Sequence, residues 1–381
     1  MGSGTGVYNF AFVESVMSAV TFGSVSEETH ASPRVADLES TVDGQPEGEG
    51  VKSESSRKWY CLDGGSDRLI MAMEEKVGGA SIVQRNKRVL DIRTLSSTKT
   101  KATLQQNDPK VMLVTVEGDA PRRYSQVINT AALGCASVMD LTGANVSYAH
   151  STAIRSLAYT ASTKVAVKFK MRWWEDESTM KGNEIVGGVT STVLPVRTVV
   201  YPSYGINVKD APGVLIASYN FSQDASRLGA FSSDRTKDSL LLRTVLDDLA
   251  VIHNVNRQWL GNEVVDWFPH AWYHDQYTAG AFAHFGPGQF GNTDKEGFSL
   301  QSPAAGGRLH FAGEATSIHH GWVLGSLNLA WRAVHNAVMY DQTLVEKLIE
   351  EWGTPDEFNL YDLRIASMLG GLASAEGVPK F

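Results

Sequence analysis

The chain has 381 residues, and its 34 basic and 42 acidic side chains give a formal net charge of −8. Hydrophobic residues make up 43% and charged residues 20%, a balance typical of a folded protein rather than of a disordered one. The acidic balance argues against nucleic acid as a partner, and no apolar run approaches the roughly 18 residues of a membrane-spanning helix.

The compartment is not determined by the sequence. The first ten residues, MGSGTGVYNF, lack the basic and apolar regions of a secretory signal. The two cysteines, Cys61 and Cys135, cannot form a disulfide scaffold that would indicate an oxidising environment. We therefore expect a soluble protein of unknown localisation.

The first 58 residues divide into two parts. Residues 8–22 carry apolar side chains at helical spacing and predict one short helix. Residues 23–58 contain no aromatic residue and are rich in Ser, Glu, Gly and Pro, so we interpret them as a disordered linker.

From Trp59 onward, strands and helices alternate. The segment after Trp59 predicts a strand, a glycine turn and a helix that begins at Ser66 or Asp67 and ends at Gly78. The hydrophobic patterns predict strands over residues 87–95, 110–117, 124–133, 164–174 and 308–312, and helices over 236–260 and 321–340. This order indicates an α/β fold with an antiparallel portion in the middle.

Two patterns invite a functional interpretation that we reject. Residues 286–291 match G-x-G-x-x-G, but no helix follows them, so a glycine-rich loop is the better interpretation. His270 and His274 are four residues apart and near His284, but a metal site would require a third ligand and a clear helix, which this segment does not show. We interpret these histidines as structural and predict no metal site.

The segment from Gly307 to Val334 is the most informative. It predicts a strand, an acidic turn at Glu314, and then a helix that opens near Gly321. A carboxylate at a strand end can accept hydrogen bonds from hydroxyl groups, and a helix N-terminus presents amides to an electron-rich ligand. From physics alone, a plain buried helix with a glycine cap is somewhat favoured, because every α/β protein has such junctions.

This segment, with HFAGEAT followed by HGW, resembles the C-terminal flavin-binding motif of the flavin amine oxidases, and most closely their L-amino acid oxidase branch. Further resemblances occur in the same order along the chain, so that the similarity runs from about residue 59 to 338. They lie in residues 63–73, 88–92, 126–134, 162–176, 194–205 and 277–290.

The resemblance implies FAD as the cofactor and assigns roles to individual residues. For the cofactor, it implies a backbone contact to adenine from Val89, a ribityl contact from Glu314, and flavin-facing amides at Gly321, Trp322, Val323 and Ser326. For the substrate, it implies that Tyr201 binds the carboxylate and that Trp322, beside Gly321, forms a wall of the cavity. Lys164 would hold a water molecule near the reactive part of the flavin.

The implied fold is a FAD-binding α/β domain interrupted by a mixed, largely antiparallel substrate-binding domain. The expected boundaries are residues 1–22 for the end of a helical region, 23–58 for the linker, 59–157 and 276–340 for the FAD-binding domain, 158–275 for the substrate-binding domain, and 341–381 for a C-terminal helix and tail. The family's N-terminal G-x-G-x-x-G unit is not found here, so we expect the chain to correspond to the C-terminal part of a typical member and to bind FAD weakly by itself.

The implied activity is oxidative deamination of L-amino acids to 2-oxo acids, with release of ammonia and hydrogen peroxide. An L-amino acid and oxygen are then the small-molecule partners, and a second copy of the chain or the missing N-terminal segment would be the macromolecular partner. Two alternatives stay open: an amine or polyamine oxidase, and a non-catalytic fragment or subunit of a flavin oxidase.

Overall fold

The computed structural model describes residues 62–95, 111–203, 205, 208, 211–286 and 298–355. The predicted helix over 8–22, the linker over 23–58 and most of the glycine-rich loop over 286–291 lie outside these residues. The chain divides into two compact units, and the described parts are residues 62–88 of the first and the residues from Val89 onward of the second. Among the described residues, no helix is long and apolar enough to cross a membrane.

The described part of the first unit contains helix α1 (Asp67–Lys76) and a short 3₁₀ turn. Ser66 occupies the N-cap position, as predicted. Gly78 ends the helix with φ = +107°, a left-handed conformation that glycine adopts without steric cost. The helix predicted from the glycine and capping residues is therefore confirmed.

The second unit contains the remaining elements. Its strands are β1 (Val89–Leu95), β2 (Val111–Val116), β3 (Arg122–Tyr124), β4 (Val127–Asn129), β5 (Ala158–Thr160), β6 (Ser162–Phe169), β7 (Gly188–Ser191), β8 (Thr198–Tyr201), β9 (Gly213–Phe221), β10 (Val264–Ala271), β11 (Phe282–His284) and β12 (Leu309–Phe311). Its helices are α2 (Leu133–Ala136), α3 (Tyr148–Ser156), α4 (Glu177–Met180), α5 (Ser222–Gly229), α6 (Leu240–His253), α7 (Arg257–Glu263), α8 (Val323–Val338) and α9 (Gln342–Trp352).

The strands form one large sheet and several small ones. The large sheet is antiparallel and has the order β10-β6-β9-β8-β7. Strands β1, β2 and β3 form a second antiparallel sheet, β11 pairs with β5, and β12 pairs in parallel with β4. The parallel pair followed by helix α8, together with the central antiparallel sheet, agrees with the predicted α/β fold.

Two hydrophobic clusters hold the second unit together. The first joins one face of the large sheet to helix α6 and includes Val165, Trp173 and Leu249, which are fully buried. The second includes Met112, Leu309 and Phe311 and lies between the small sheets. Burial of each such side chain contributes about 1.5–3 kcal/mol to folding, so these clusters are the main source of stability.

Three predicted elements differ from the structure. The strand predicted over 124–133 is short, because helix α2 begins at Leu133. The strand predicted over 164–174 ends at Phe169, and Trp173 and Trp174 turn into the core in a 3₁₀ turn. The helix predicted over 236–260 is two helices, because Asn254 adopts a left-handed conformation with φ = +51° and ends α6.

Helix α8 buries polar as well as apolar side chains. Its buried residues include Asn328, Arg332 and Asn336, whereas Val323 and Leu327 are 64% and 49% exposed. The polar side chains bond to the surrounding turns, as in the hydrogen bond that Asn336 Nδ2 donates to the carbonyl of Gln301.

Acid should destabilise this fold through its buried histidines. Burial lowers the pKa of His150, His253, His310 and His335, and for His310, whose pKa falls to about 4, the nearby Arg332 charge adds to the effect. The unfolded chain therefore takes up protons at a higher pH than the folded chain, and stability falls as the pH drops below 6.5.

His310→Gln provides the measurement for this prediction. In wild type, His310 Nε2 donates a hydrogen bond to Gln126 Oε1 at 2.7 Å. The amide of a glutamine at position 310 can donate the same bond but has no titratable proton. We expect the pH dependence of the unfolding free energy between pH 6.5 and 5 to become shallower by about 1.4 kcal/mol per pH unit. Equal slopes in wild type and His310→Gln would contradict the prediction.

Candidate active site

Three polar side chains form a row across the large sheet. Lys164 of β6 is paired with His270 of β10 on one side and with Tyr219 of β9 on the other. Residues directly opposite each other in neighbouring strands point to the same face of a sheet. The Lys164 ammonium lies over the Tyr219 ring, 4.3 Å from its centroid, and 5.3 Å from the Trp272 ring. The Lys164 ammonium is thus a cation held among aromatic rings.

Aromatic contacts continue from this row toward the start of helix α8. The Tyr219 and Phe221 rings are 4.5 Å apart, and the Phe221 and Phe282 rings 6.0 Å. A Cβ at Gly321 would lie 3.3 Å from the Phe282 ring, so this ring lies against the Gly321 backbone. Lys164 and Gly321, which are 157 positions apart in the sequence, are thus joined by one aromatic surface.

The two lysines of β6 have different surroundings. Lys164 is half-buried, and this burial lowers its pKa, whereas Lys168 is exposed. A cation–π contact stabilises a partly desolvated ammonium by about 1–2 kcal/mol, which compensates for some of the lost hydration. Lys164 and Lys168 therefore differ in burial and in their contacts, and the predicted place of Lys164 beside the flavin stays a prediction.

Tyr201 lies elsewhere. Its side chain is 2% exposed and belongs to the hydrophobic cluster on the helix-covered face of the sheet, opposite to Lys164. His253 Nδ1 donates to the carbonyl of Leu249 at 2.8 Å, so its Nε2 accepts a bond from the Tyr201 hydroxyl at 2.6 Å. The hydroxyls of Tyr201 and Thr190 are also 3.1 Å apart. The structure does not bring Tyr201 to Lys164, and a substrate contact from Tyr201 stays a prediction that this geometry does not favour.

Glu314 organises the turn before helix α8. Its Oε1 accepts a hydrogen bond from the Ala283 amide at 3.0 Å, and its Oε2 accepts one from the Gly321 amide at 2.9 Å. The carboxylate thus ties β11 to the start of the helix. The charge of Glu314 also adds to the effect of burial in raising the pKa of Tyr159. The predicted ribityl contact of Glu314 stays a prediction.

The start of helix α8 has features that fit a flavin ring. Trp322 is the N-cap residue and its own side chain makes no capping hydrogen bond, so the first turn of this 16-residue helix can present backbone amides to carbonyl oxygens of a ligand. Gly321 has φ = +76°, and Val323 and Leu324 are 64% and 48% exposed, which gives an apolar surface for a flat ring. Ser326 follows in the first two turns, with its amide 3.4 Å from the Trp322 carbonyl.

Val89, the predicted adenine contact, opens strand β1. It pairs with Val116 of β2 and is partly buried against the second hydrophobic cluster. The structure thus places it in the small antiparallel sheet rather than in the large sheet that carries Lys164. Its contact with adenine stays a prediction.

Tyr219, His270 and Trp272 were missed by sequence reasoning as site residues. Only the strand register, which pairs Tyr219 and His270 with Lys164, shows that they belong together. His270 Nε2 is 3.5 Å from a carboxylate oxygen of Asp275, and its ring packs on Trp272 with centroids 4.3 Å apart. Another histidine of the rejected metal pattern, His284, lies apart from this row, and its Nδ1 is 2.9 Å from the Thr160 hydroxyl.

Comparison with known proteins identifies relatives of this chain. A family model described as flavin containing amine oxidoreductase matches residues 3–338. L-amino-acid oxidase 4 of Hebeloma cylindrosporum is 37% identical over 363 residues, which are 93% of this chain and 51% of that protein. A Dictyostelium discoideum protein whose name includes bifunctional amine oxidase is 36% identical over 359 residues, which are 94% of this chain and 29% of that protein. The chain therefore spans about half, or less, of the relatives it matches.

Solved structures agree on the fold. A putrescine oxidase variant superposes with a TM-score of 0.50 at 17% identity, covering 76% of this chain and 53% of the other. Cyclohexylamine oxidase from Brevibacterium oxydans gives a TM-score of 0.50 at 14% identity, with 75% and 53% covered. At such low identity these matches establish the fold alone.

Proposed function

Because the chain belongs to the family of flavin-containing amine oxidoreductases, we propose that it carries out the FAD-dependent oxidation of L-amino acids. Overall, an L-amino acid, water and oxygen give a 2-oxo acid, ammonia and hydrogen peroxide, so that the two electrons and two hydrogens removed from the amino acid end in the peroxide. FAD supplies the electron acceptor when bound, and the residues of the chain bind and orient the substrate.

The observation that carries this proposal is the Lys164 ammonium on the aromatic face beside Tyr219. A half-buried positive charge attracts the carboxylate of an amino acid, a group that a simple amine lacks, and this attraction is strong where water is partly excluded. The name of the 37% identical relative, L-amino-acid oxidase 4, supports the same substrate class. Trp322 would close the cavity at the other end of the aromatic surface.

Tyr219 is the better candidate for the carboxylate ligand than Tyr201. Tyr219 is half-buried on the Lys164 face, and its hydroxyl has no hydrogen-bond partner among the described residues. A phenol hydroxyl can donate to a carboxylate, and this charge-assisted bond is stronger than one between neutral groups. Lys164 and Tyr219 together would therefore hold the carboxylate on this face.

A matched set of substrates tests the proposal. The FAD-loaded protein is mixed without oxygen with L-leucine, with D-leucine, and with 3-methylbutan-1-amine, which is leucine without its carboxylate. We expect only L-leucine to bleach the absorbance of the oxidised flavin at about 450 nm, a property of the cofactor itself. Faster bleaching by the amine than by L-leucine would establish the amine oxidase alternative, and no bleaching by any of a panel of L-amino acids and amines would favour a non-catalytic chain.

Paired tyrosine substitutions test the assignment of the carboxylate ligand. Tyr219→Phe should raise KM for L-leucine about tenfold and leave thermal stability unchanged, because it removes one donor from a half-exposed site. Tyr201→Phe should instead lower stability by about 1–3 kcal/mol, because it leaves the buried Nε2 of His253 without its donor. A raised KM in Tyr201→Phe together with a lowered stability in Tyr219→Phe would instead assign the carboxylate contact to Tyr201.

Truncation of Trp322 should affect the substrate more than the cofactor. The backbone of Trp322 remains in Trp322→Ala, while the half-buried ring is removed. Loss of a large aromatic side chain from a binding pocket commonly costs about 2–4 kcal/mol, so we expect a comparable loss in kcat/KM. The measurement compares kcat/KM with flavin content per chain. Loss of flavin with unchanged kcat/KM in the remaining loaded protein would instead indicate that the ring holds the cofactor.

A further inference from the structure

A cavity lies on the helix-covered side of the large sheet, away from Lys164. Its volume is about 500 Å³, within the range of small-molecule pockets. The loop before β8, helix α5 and the first turn of α6 enclose it. Since α5 and α6 pack on the face opposite to the Lys164 row, this cavity is separate from the proposed active site.

The floor and walls of the cavity are apolar. Leu228 and Leu241 form the floor and are 8% and 1% exposed. Phe231 and Leu240 line the walls and are 46% and 45% exposed, which is high for such large apolar side chains. An alkyl chain seated between them would remove this apolar surface from water, which is favourable by roughly 25 cal/mol per Å².

The rim of the cavity carries one excess positive charge. Arg197 Nε donates to an Asp224 carboxylate oxygen at 2.7 Å. Arg227 is 3.8 Å from the other oxygen of Asp224 and 3.4 Å from the Gln223 side-chain oxygen, while its side chain is 75% exposed. Two guanidinium groups thus share one carboxylate, and Arg227 presents donors to the solvent at the mouth of the cavity.

The rim is held in place by the backbone of the loop. Arg197 has φ = +57°, an uncommon conformation for a residue with a side chain, and its amide donates to the carbonyl of Leu194 at 2.9 Å. The neighbouring Val196 amide donates to the buried Asp248 carboxylate at 3.1 Å. Arg197 is therefore fixed by its partners, and Arg227 is the guanidinium that can reorient toward a ligand.

We propose that this cavity binds an amphipathic carboxylate, an aliphatic monocarboxylate whose alkyl chain enters the apolar interior and whose carboxylate pairs with Arg227. The combination of an apolar interior with a cationic rim matches this class and disfavours both alkyl cations and fully polar anions. The proposal is independent of the proposed catalytic function, because it concerns the opposite face of the sheet.

Calorimetric titration of the full chain with three ligands of equal chain length tests the proposal. Octanoate should bind saturably and about tenfold more tightly than octan-1-ol, because only octanoate forms a charge-assisted bond with Arg227. Octylammonium should bind more weakly than octan-1-ol, since the rim is cationic. No saturable octanoate binding, or equal affinity for octanoate and octan-1-ol, would overturn the proposal.

Two variants locate the binding. Arg227→Gln should weaken octanoate binding about tenfold and leave octan-1-ol unchanged, whereas Leu240→Glu should weaken both ligands by placing a charge on the cavity wall. Arg243→Gln is the control, because Arg243 is an exposed arginine of the same helix α6 that does not line the cavity. An equal effect of Arg227→Gln and Arg243→Gln would assign the binding to general surface charge and overturn the proposal.

Discussion

Lys164→Met should slow turnover about 100-fold in the FAD-loaded protein, with the larger effect on the reaction with oxygen. Removing one preorganised electrostatic group from an active site typically costs a factor of 10²–10³ in rate. Negative charge develops on oxygen as it accepts electrons, and we propose that the half-buried Lys164 ammonium, which holds the substrate carboxylate in the first half-reaction, stabilises this charge in the second. Methionine retains most of the apolar length of the side chain but not its charge.

The pH dependence should report the same group. Burial lowers the pKa of Lys164, so its ammonium loses its proton at a lower pH than that of an exposed lysine. We therefore expect the wild-type rate of reaction with oxygen to fall on the alkaline side, beginning below the usual range of a lysine. This alkaline decrease should be absent in Lys164→Met, which has no proton to lose.

Lys168→Met is the matched control for Lys164→Met. Both lysines belong to β6, but Lys168 is exposed and is paired across the strand with Asp266 and Val214 instead. Its replacement should change both half-reactions by less than about twofold, since exposed charges contribute little. Stopped-flow traces that show equal effects of the two substitutions, or none from Lys164→Met, would remove Lys164 from the proposed mechanism.

Gly325→Ala should destabilise the second unit by about 3 kcal/mol or more. A Cβ at this position would lie 2.4 Å from the carbonyl oxygen of His319 and 2.9 Å from the hydroxyl oxygen of Ser317. The His319 oxygen belongs to the backbone and cannot move away as a side chain would, so the helix and the preceding turn must separate. Overpacking of a well-packed contact costs about 1–3 kcal/mol, and a backbone clash lies at the upper end or beyond.

Gly261→Ala supplies the comparison for this effect. Gly261 also lies in a helix, α7, but a Cβ there would meet only the guanidinium of Arg257, at 3.0 Å, which is the flexible end of a side chain. Alanine is favoured over glycine in a helix by about 1 kcal/mol, so this variant should be as stable as wild type or more stable. Thermal unfolding followed by circular dichroism measures both. A stable Gly325→Ala would show that α8 can be displaced from its turn.

Much of the fold and the family could be predicted from the sequence, because the signals are local. The pattern of strand, Glu314 and glycine before a long helix depends on neighbouring residues and on the resemblance, and the family match confirms it. The capping residues of α1 also depend only on short-range hydrogen bonding and backbone conformation. In contrast, the ends of α6 and α7 were misplaced, because the left-handed Asn254 is a conformation that the hydrophobic pattern does not reveal.

The partners of Lys164 were decided by the tertiary structure alone. A strand period of two identifies which residues of β6 share a face, but it contains no information on which residues of β9 and β10 lie opposite. Register places Tyr219 and His270 beside Lys164, and it places Tyr201 on the other face with His253. The sequence determined the family and indicated Lys164 as a candidate, while the pairing of distant strands determined which tyrosine lies beside that lysine, because strand register is set by long-range packing and not by local propensity.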